Sequence, residues 1–124
     1  MAIKIYTENF PDKLIDKLKS LNIITNKDEI IAIYVNTFLG NIRDTNILTT
    51  EKLINWVAKI NKSEKNIINL KKLKDITYIE KGLYGTITYH LSAKKTFSLK
   101  LNRQDGDKFY KLSLETWQKL KNSN

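Results

Sequence analysis

The chain has 124 residues, with 22 Lys plus Arg against 13 Asp plus Glu, one histidine and no cysteine. That length suits one domain whose core holds without staples, and the missing thiols exclude disulfides, thiolate metal sites and cysteine nucleophiles. The net charge of +9 can draw nucleic acid, an anionic membrane or an acidic protein, but nearly all of it is Lys, with Arg43 and Arg103 the two arginines, and codons for Lys, Ile and Asn are AT-rich, so an AT-rich genome alone can supply such a composition.

The opening run Met1-Ala2-Ile3-Lys4-Ile5-Tyr6 turns polar at Thr7-Glu8-Asn9, so no signal peptide is expected. The longest apolar stretch, Ile30 to Val35, is far short of the roughly 20 residues that a membrane span needs. A soluble, cytoplasmic protein is the expectation, which the cysteine-free composition suits. The first predicted element is a helix over 11–21. Asn9 is placed to cap it and Pro11 to sit in its first turn. Leu14, Ile15, Leu18 and Leu21 recur at helical spacing and form an apolar stripe that needs a partner surface.

From about Asp28 the period changes to two. Glu29 to Thr37 reads as a strand with Ile31, Ile33 and Val35 on one face, ended by Phe38-Leu39-Gly40-Asn41. Asn46 to Thr49 reads as a short second strand, and Leu53 to Ile60, with Trp56, as a third. Asn61-Lys62-Ser63-Glu64-Lys65 reads as a polar loop before a fourth strand over 66–70. Asp75 to Lys81 is the fifth strand, and Gly82-Leu83-Tyr84-Gly85 a tight connection with two glycines for positive φ. In the sixth strand Thr86, Thr88 and His90 alternate with Ile87, Tyr89 and Leu91. In the seventh, Phe97, Leu99 and Leu101 alternate with Thr96, Ser98 and Lys100. Asn102 to Lys108 reads as a polar loop. Asp107 then caps a helix over 108–121, with Phe109, Leu112, Trp117 and Leu120 on one face. Short strands at this spacing signal an antiparallel sandwich or barrel. The expected class is α+β, mainly β: a seven-stranded antiparallel sandwich or partly open barrel, capped by a C-terminal α-helix and preceded by an extra N-terminal helix. Residues 1–27 form an N-terminal arm and helix, and 28–122 the domain.

Seven short strands followed by one amphipathic helix resemble the bacterial pleckstrin-homology-like (PH-like) domain family, small proteins of unknown function. Three phrases carry the likeness. They are Glu29-Ile30-Ile31-Ala32-Ile33-Tyr34 with Thr37-Phe38-Leu39-Gly40-Asn41, then Ile47 to Trp56, and Leu70 to Ile79 leading into Lys81-Gly82-Leu83-Tyr84-Gly85-Thr86-Ile87. The resemblance spans about Asp28 to Leu120 and implies an interaction module without catalysis or cofactor. In eukaryotic phosphoinositide-binding PH domains several basic residues lie in the first two strands and their loop. Here Asn36 to Asn46 offers Arg43 alone, beside Asp44, which argues against that ligand.

The residues themselves give no catalytic set. His90 has no cysteine or second histidine to share a metal, and no nucleophile elbow supports a Ser-His-Asp arrangement; a hydrolase or lyase built on His90 is a remote third reading. Asp105-Gly106-Asp107 is a calcium-loop fragment without the other ligand positions, and no phosphate-binding glycine motif precedes a helix. Two binding readings remain. Apolar pairs at turns, Phe38 with Leu39 and Leu83 with Tyr84, are the candidate contacts for a protein partner, including a second copy of the chain. Lys59, Lys62, Lys65, Lys71, Lys72, Lys74, Lys94 and Lys95 form the alternative, a rim for anionic membrane or nucleic acid. Of the aromatic residues Tyr34, Trp56, Tyr78, Tyr84 and Tyr89, Tyr84 is the one expected to be exposed.

Overall fold

The computed structural model describes residues 2–123. In chain order the elements are β1 (Ala2–Tyr6), α1 (Asp12–Ser20), β2 (Ile30–Phe38), β3 (Asn41–Thr49), β4 (Lys52–Lys59), β5 (Lys62–Asn69), a 3₁₀ turn (Leu70–Lys72), β6 (Asp75–Lys81), β7 (Tyr84–His90), β8 (Thr96–Asn102) and α2 (Arg103–Asn122). The chain divides into two compact units, the first ending at Ile68 and the second beginning at Asn69.

The first unit is a five-stranded sheet in sequence order, β1-β2-β3-β4-β5, antiparallel from β1 through β4. Its eighth-strand surplus over the expected seven is β1, which pairs Ala2 with Thr37 and Tyr6 with Ile33. α1 lays its stripe on one face of this sheet. Leu18 is fully buried and packs with Ile23, Ile33, Val35, Ile47, Ile54 and Trp56, with Leu14 and Ile15 at the margin, while Leu21 stays exposed. Asn9 does not cap the helix. It takes a left-handed φ of 51° and bends the chain into Pro11, which occupies the cap with extended backbone and no side-chain bond. On the other face asparagines form a cross-strand ladder. Asn55 Nδ2 donates to Asn46 Oδ1 at 2.7 Å and Asn66 Nδ2 to Asn55 Oδ1 at 3.3 Å, which satisfies amides that burial would otherwise penalise.

Two predicted loops are strands. β3 begins at Asn41, five residues before the expected start, because Leu39 and Gly40 alone make the turn, at φ 52° and 80°. Positive φ at both central residues is the geometry whose twist lets paired strands continue without a gap. Of the polar segment 61–65, residues 62–65 likewise join β5, since Ile60 and Asn61, the latter at φ 68°, suffice for that turn.

The second unit is the sheet β6-β7-β8 with α2. Ile76, Ile87, Tyr89, Leu99 and Leu101 are buried on one face, and the register aligns Thr77, Thr88 and Ser98 on the other. α2 covers the buried face with Phe109, Ser113, Thr116 and Trp117, and Tyr89 Oη lies 2.8 Å from Ser113 Oγ. The predicted loop 102–108 is the first turn and a half of this helix. Asn102 is its cap, its Oδ1 accepting from Asp105 N at 2.8 Å, and Asp107 instead pairs with Lys111 at 2.9 Å, one turn on. Gly82 has a positive φ of 62°, but Gly85 does not. Gly85 is required for space, since a Cβ there would overlap the Tyr78 ring.

Candidate interaction surface

Strand direction brings three apolar turns or ends together in the first unit. β2 ends where β3 begins, β4 ends where β5 begins, and the start of β1 is in register with the end of β2. Ile3, Phe38, Leu39 and Ile60 therefore lie at one end of the five-stranded sheet, the two turns separated by two strand spacings, about 10 Å. All four are exposed, Leu39 at 84% and Ile60 at 89%. A shallow cleft of about 320 Å³, lined by Arg43, Ala58, Lys59 and Ile60, opens at the same end.

This end is held in place. Lys17 of α1 donates through Nζ to Gly40 O at 3.2 Å, and the Arg43 guanidinium lies 5.8 Å from the Phe38 ring centroid. Leu39 itself carries backbone strain. A leucine at φ 52° costs on the order of 1–2 kcal/mol against an ordinary backbone, and glycine or asparagine would normally fill the position.

The other predicted pair, Leu83 with Tyr84, is at the β6–β7 turn of the second unit, and Leu83 is 79% exposed. Its brace mirrors the first. Arg103, the first residue of α2, donates through Nη1 to Gly82 O at 3.3 Å and through its backbone N to Leu83 O at 2.9 Å. Its other guanidinium nitrogen pairs with Glu80 at 3.1 Å, and Lys100 Nζ lies 4.6 Å from the Tyr84 ring centroid. Sequence reasoning found the two tips but not Ile3, Ile60, Lys17 or Arg103. The braces act across 23 and 21 residues of chain, a separation that no local pattern reports. The expected third strand includes Ile60, and the asparagine after it is the available sign of a turn.

The eight predicted lysines separate. Lys59 is paired with Glu64 at 2.8 Å, an attraction that holds the exposed Glu64 carboxyl below its ordinary pKa. Lys65 Nζ donates to Asn22 O at 2.9 Å, and Lys62 is exposed on β5. The remaining five belong to the second unit and share one end of its sheet.

No group of three or more His, Asp or Glu side chains is placed to hold a metal among the described residues. His90 Nε2 is 2.9 Å from Thr77 Oγ1, and Asp75, its cross-strand neighbour, turns Oδ1 to its neighbouring Ile76 N–H at 2.9 Å. A cleft of about 360 Å³ at the opposite end of the first sheet contains Asp28. Burial pulls that carboxyl upward, but the Thr25 N–H and the Lys52 ammonium outweigh it and hold it below its ordinary value. The Tyr78 phenol is pushed up to about 12, by desolvation first and then by Glu80. It is bonded to Glu80 at 3.0 Å and to Arg103 O at 3.1 Å and stacks on Tyr110 at 5.0 Å. Burial raises the Tyr89 phenol further.

With this geometry in view, comparison with known proteins defines the class. The chain is similar to the crystal structure of a DUF1696 family protein with a pleckstrin-homology domain from Shewanella loihica PV-4, with a TM-score of 0.62 and 15% identity over 89% of this chain and 99% of that one. At that identity the likeness is one of fold. The protein has a PH-like fold, mainly β, with eight strands in two antiparallel sheets, an N-terminal helix and a C-terminal helix. The sequence matches no family model and no curated protein. No helix among the described residues is long and apolar enough to cross a membrane.

Proposed function

We propose that the protein is a non-enzymatic interaction module that makes protein–protein contacts through its apolar turn residues, with a second copy of the chain as the first partner. The observation that carries this reading is Leu39. It holds a left-handed backbone that glycine or asparagine adopts more cheaply, and its side chain is 84% exposed. A residue that is strained and packs against little contributes nothing evident to folding, and strain of this kind collects where a surface has work to do. Phe38, Ile60 and Ile3 at the same end extend the apolar surface, and the Lys17 brace holds the turn before any partner arrives, which lowers the entropy cost of contact. Leu83 and Tyr84, braced by Arg103, form a second contact of the same construction. The PH-like fold supports the module reading.

Light scattering across the micromolar range tests it. The wild type is expected to exceed the mass of one chain and to rise with concentration. The variant carrying Leu39→Asn, Ile60→Ser and Leu83→Ser is expected to stay at one chain. A wild-type mass of one chain at every concentration would overturn self-contact, and an unchanged mass in the variant would remove the turns from it.

A further inference from the structure

We propose that the end of the second unit built from the 3₁₀ turn and the β7–β8 loop binds the phosphate backbone of double-stranded nucleic acid. Lys71, Lys72 and Lys74 come from one segment, Lys94 and Lys95 from the other. Backbone bonds fix both at the same end of the sheet: Lys74 N donates to His90 O at 2.7 Å, and Leu91 N and Ser92 N donate to Lys95 O at 2.9 and 3.2 Å. All five lysines are exposed, and none is in any of the ion pairs among the described residues. Asp75, the acid beside them, is hydrogen-bonded to its neighbouring Ile76 N–H. Five like charges at one end repel one another, and the chain supplies them with no counter-charge by direct pairing.

What accompanies the lysines decides the partner. Neither arginine is in these segments, so the bidentate donor that reads guanine edges is missing. Neither segment exposes an aromatic ring, so unstacked bases of a single strand find no platform. Neither exposes a large apolar side chain, so nothing inserts beneath lipid headgroups as interfacial anchors do. Lysine point charges without these additions suit a dense row of phosphates read without regard to sequence, and a duplex offers one charge per ~1.7 Å of axis.

The experiment is fluorescence anisotropy of the full chain with a labelled mixed-sequence duplex, between about 50 and 200 mM salt, where five phosphate contacts give a log–log slope of about −4.5 and a loss of about 500-fold. Lys71→Gln, Lys72→Gln and Lys74→Gln together should lower the slope by about 2.7, at about 0.9 per contact, while the same change at Lys59, Lys62 and Lys65 should leave it. Absence of binding at the lowest salt overturns the proposal. So does equal loss from both triple variants, which would trace binding to net charge. Tighter, equally lysine-dependent retention on phosphatidylserine vesicles would assign the surface to lipid, and stronger competition by polyglutamate at equal charge would assign it to acidic protein; either replaces the duplex.

Discussion

The two units put their free surface in different places. In the first, the central strands are buried without interruption over Ala32–Val35, Thr45–Thr49 and Leu53–Trp56. Both faces of that sheet are used up, and its exposed apolar groups are confined to the strand ends and margins. In the second, one face of the sheet stays open to water, but it carries Thr77, Thr86, Thr88, Ser98 and Lys100, side chains that solvate well. Its apolar exposure is confined to Ile79, Leu83 and Tyr84. The two units thus expose two kinds of surface, a strained apolar end in the first and an unpaired cationic end in the second.

The helix that each unit lays on its sheet offers the sharpest break between them. α1 is nine residues long and buries one side chain completely, Leu18, whereas α2 is twenty residues long and buries Phe109, Ser113, Thr116 and Trp117. Leu18→Ala should therefore cost about 2–5 kcal/mol in urea unfolding and loosen the first unit more than any single α1 change at the margin, such as Leu14→Ala. In the second unit the corresponding weak point is polar. Tyr89→Phe leaves Ser113 Oγ buried beside an apolar ring and should cost about 1–3 kcal/mol. Adding Ser113→Ala should recover part of that loss, and no recovery in the double variant would show that the 2.8 Å contact is not what the single change removes.

A smaller effect has the opposite sign. Leu39→Asn should stabilise the dilute protein by about 1 kcal/mol, since asparagine tolerates the left-handed backbone; destabilisation would mean that the leucine serves the fold. The smallest is a pH effect in the second unit. A phenol raised from 10 to about 12 favours the folded state while it stays protonated. That contribution is complete below pH 10 and disappears as the pH rises through about 12. Tyrosinate absorbance of Tyr78→Phe should therefore lose a late-titrating group, and the fall in stability over that interval should flatten.

The same difference between the units governs what could be read from the sequence. Alternation of period two is visible where one face is wet, and β6, β7 and β8 were predicted nearly to the residue from Ile76-Thr77, Ile87-Thr88 and Leu99-Lys100. Where both faces are buried, as in β2 and β3, alternation disappears and strand bounds depend on the turns. Leu39-Gly40 and Ile60-Asn61 are two-residue turns of unusual composition, so the expected β3 and β5 are shorter than the strands found. The start of α2 differs from the expectation because Asp107 is an attractive cap by type, while Asn102 makes the capping bond. The tips Phe38-Leu39 and Leu83-Tyr84 were legible as apolar pairs in turns. Their braces and the grouping of five lysines were not, since both depend on contacts between distant segments.

Hydrogen–deuterium exchange of the full chain, dilute against concentrated, tests the account most directly. Slower exchange on concentration at residues 38–41 and 60–61, with residues 92–95 unchanged, is the predicted result. Unchanged exchange at both turns, or slowing confined to 92–95, would contradict it.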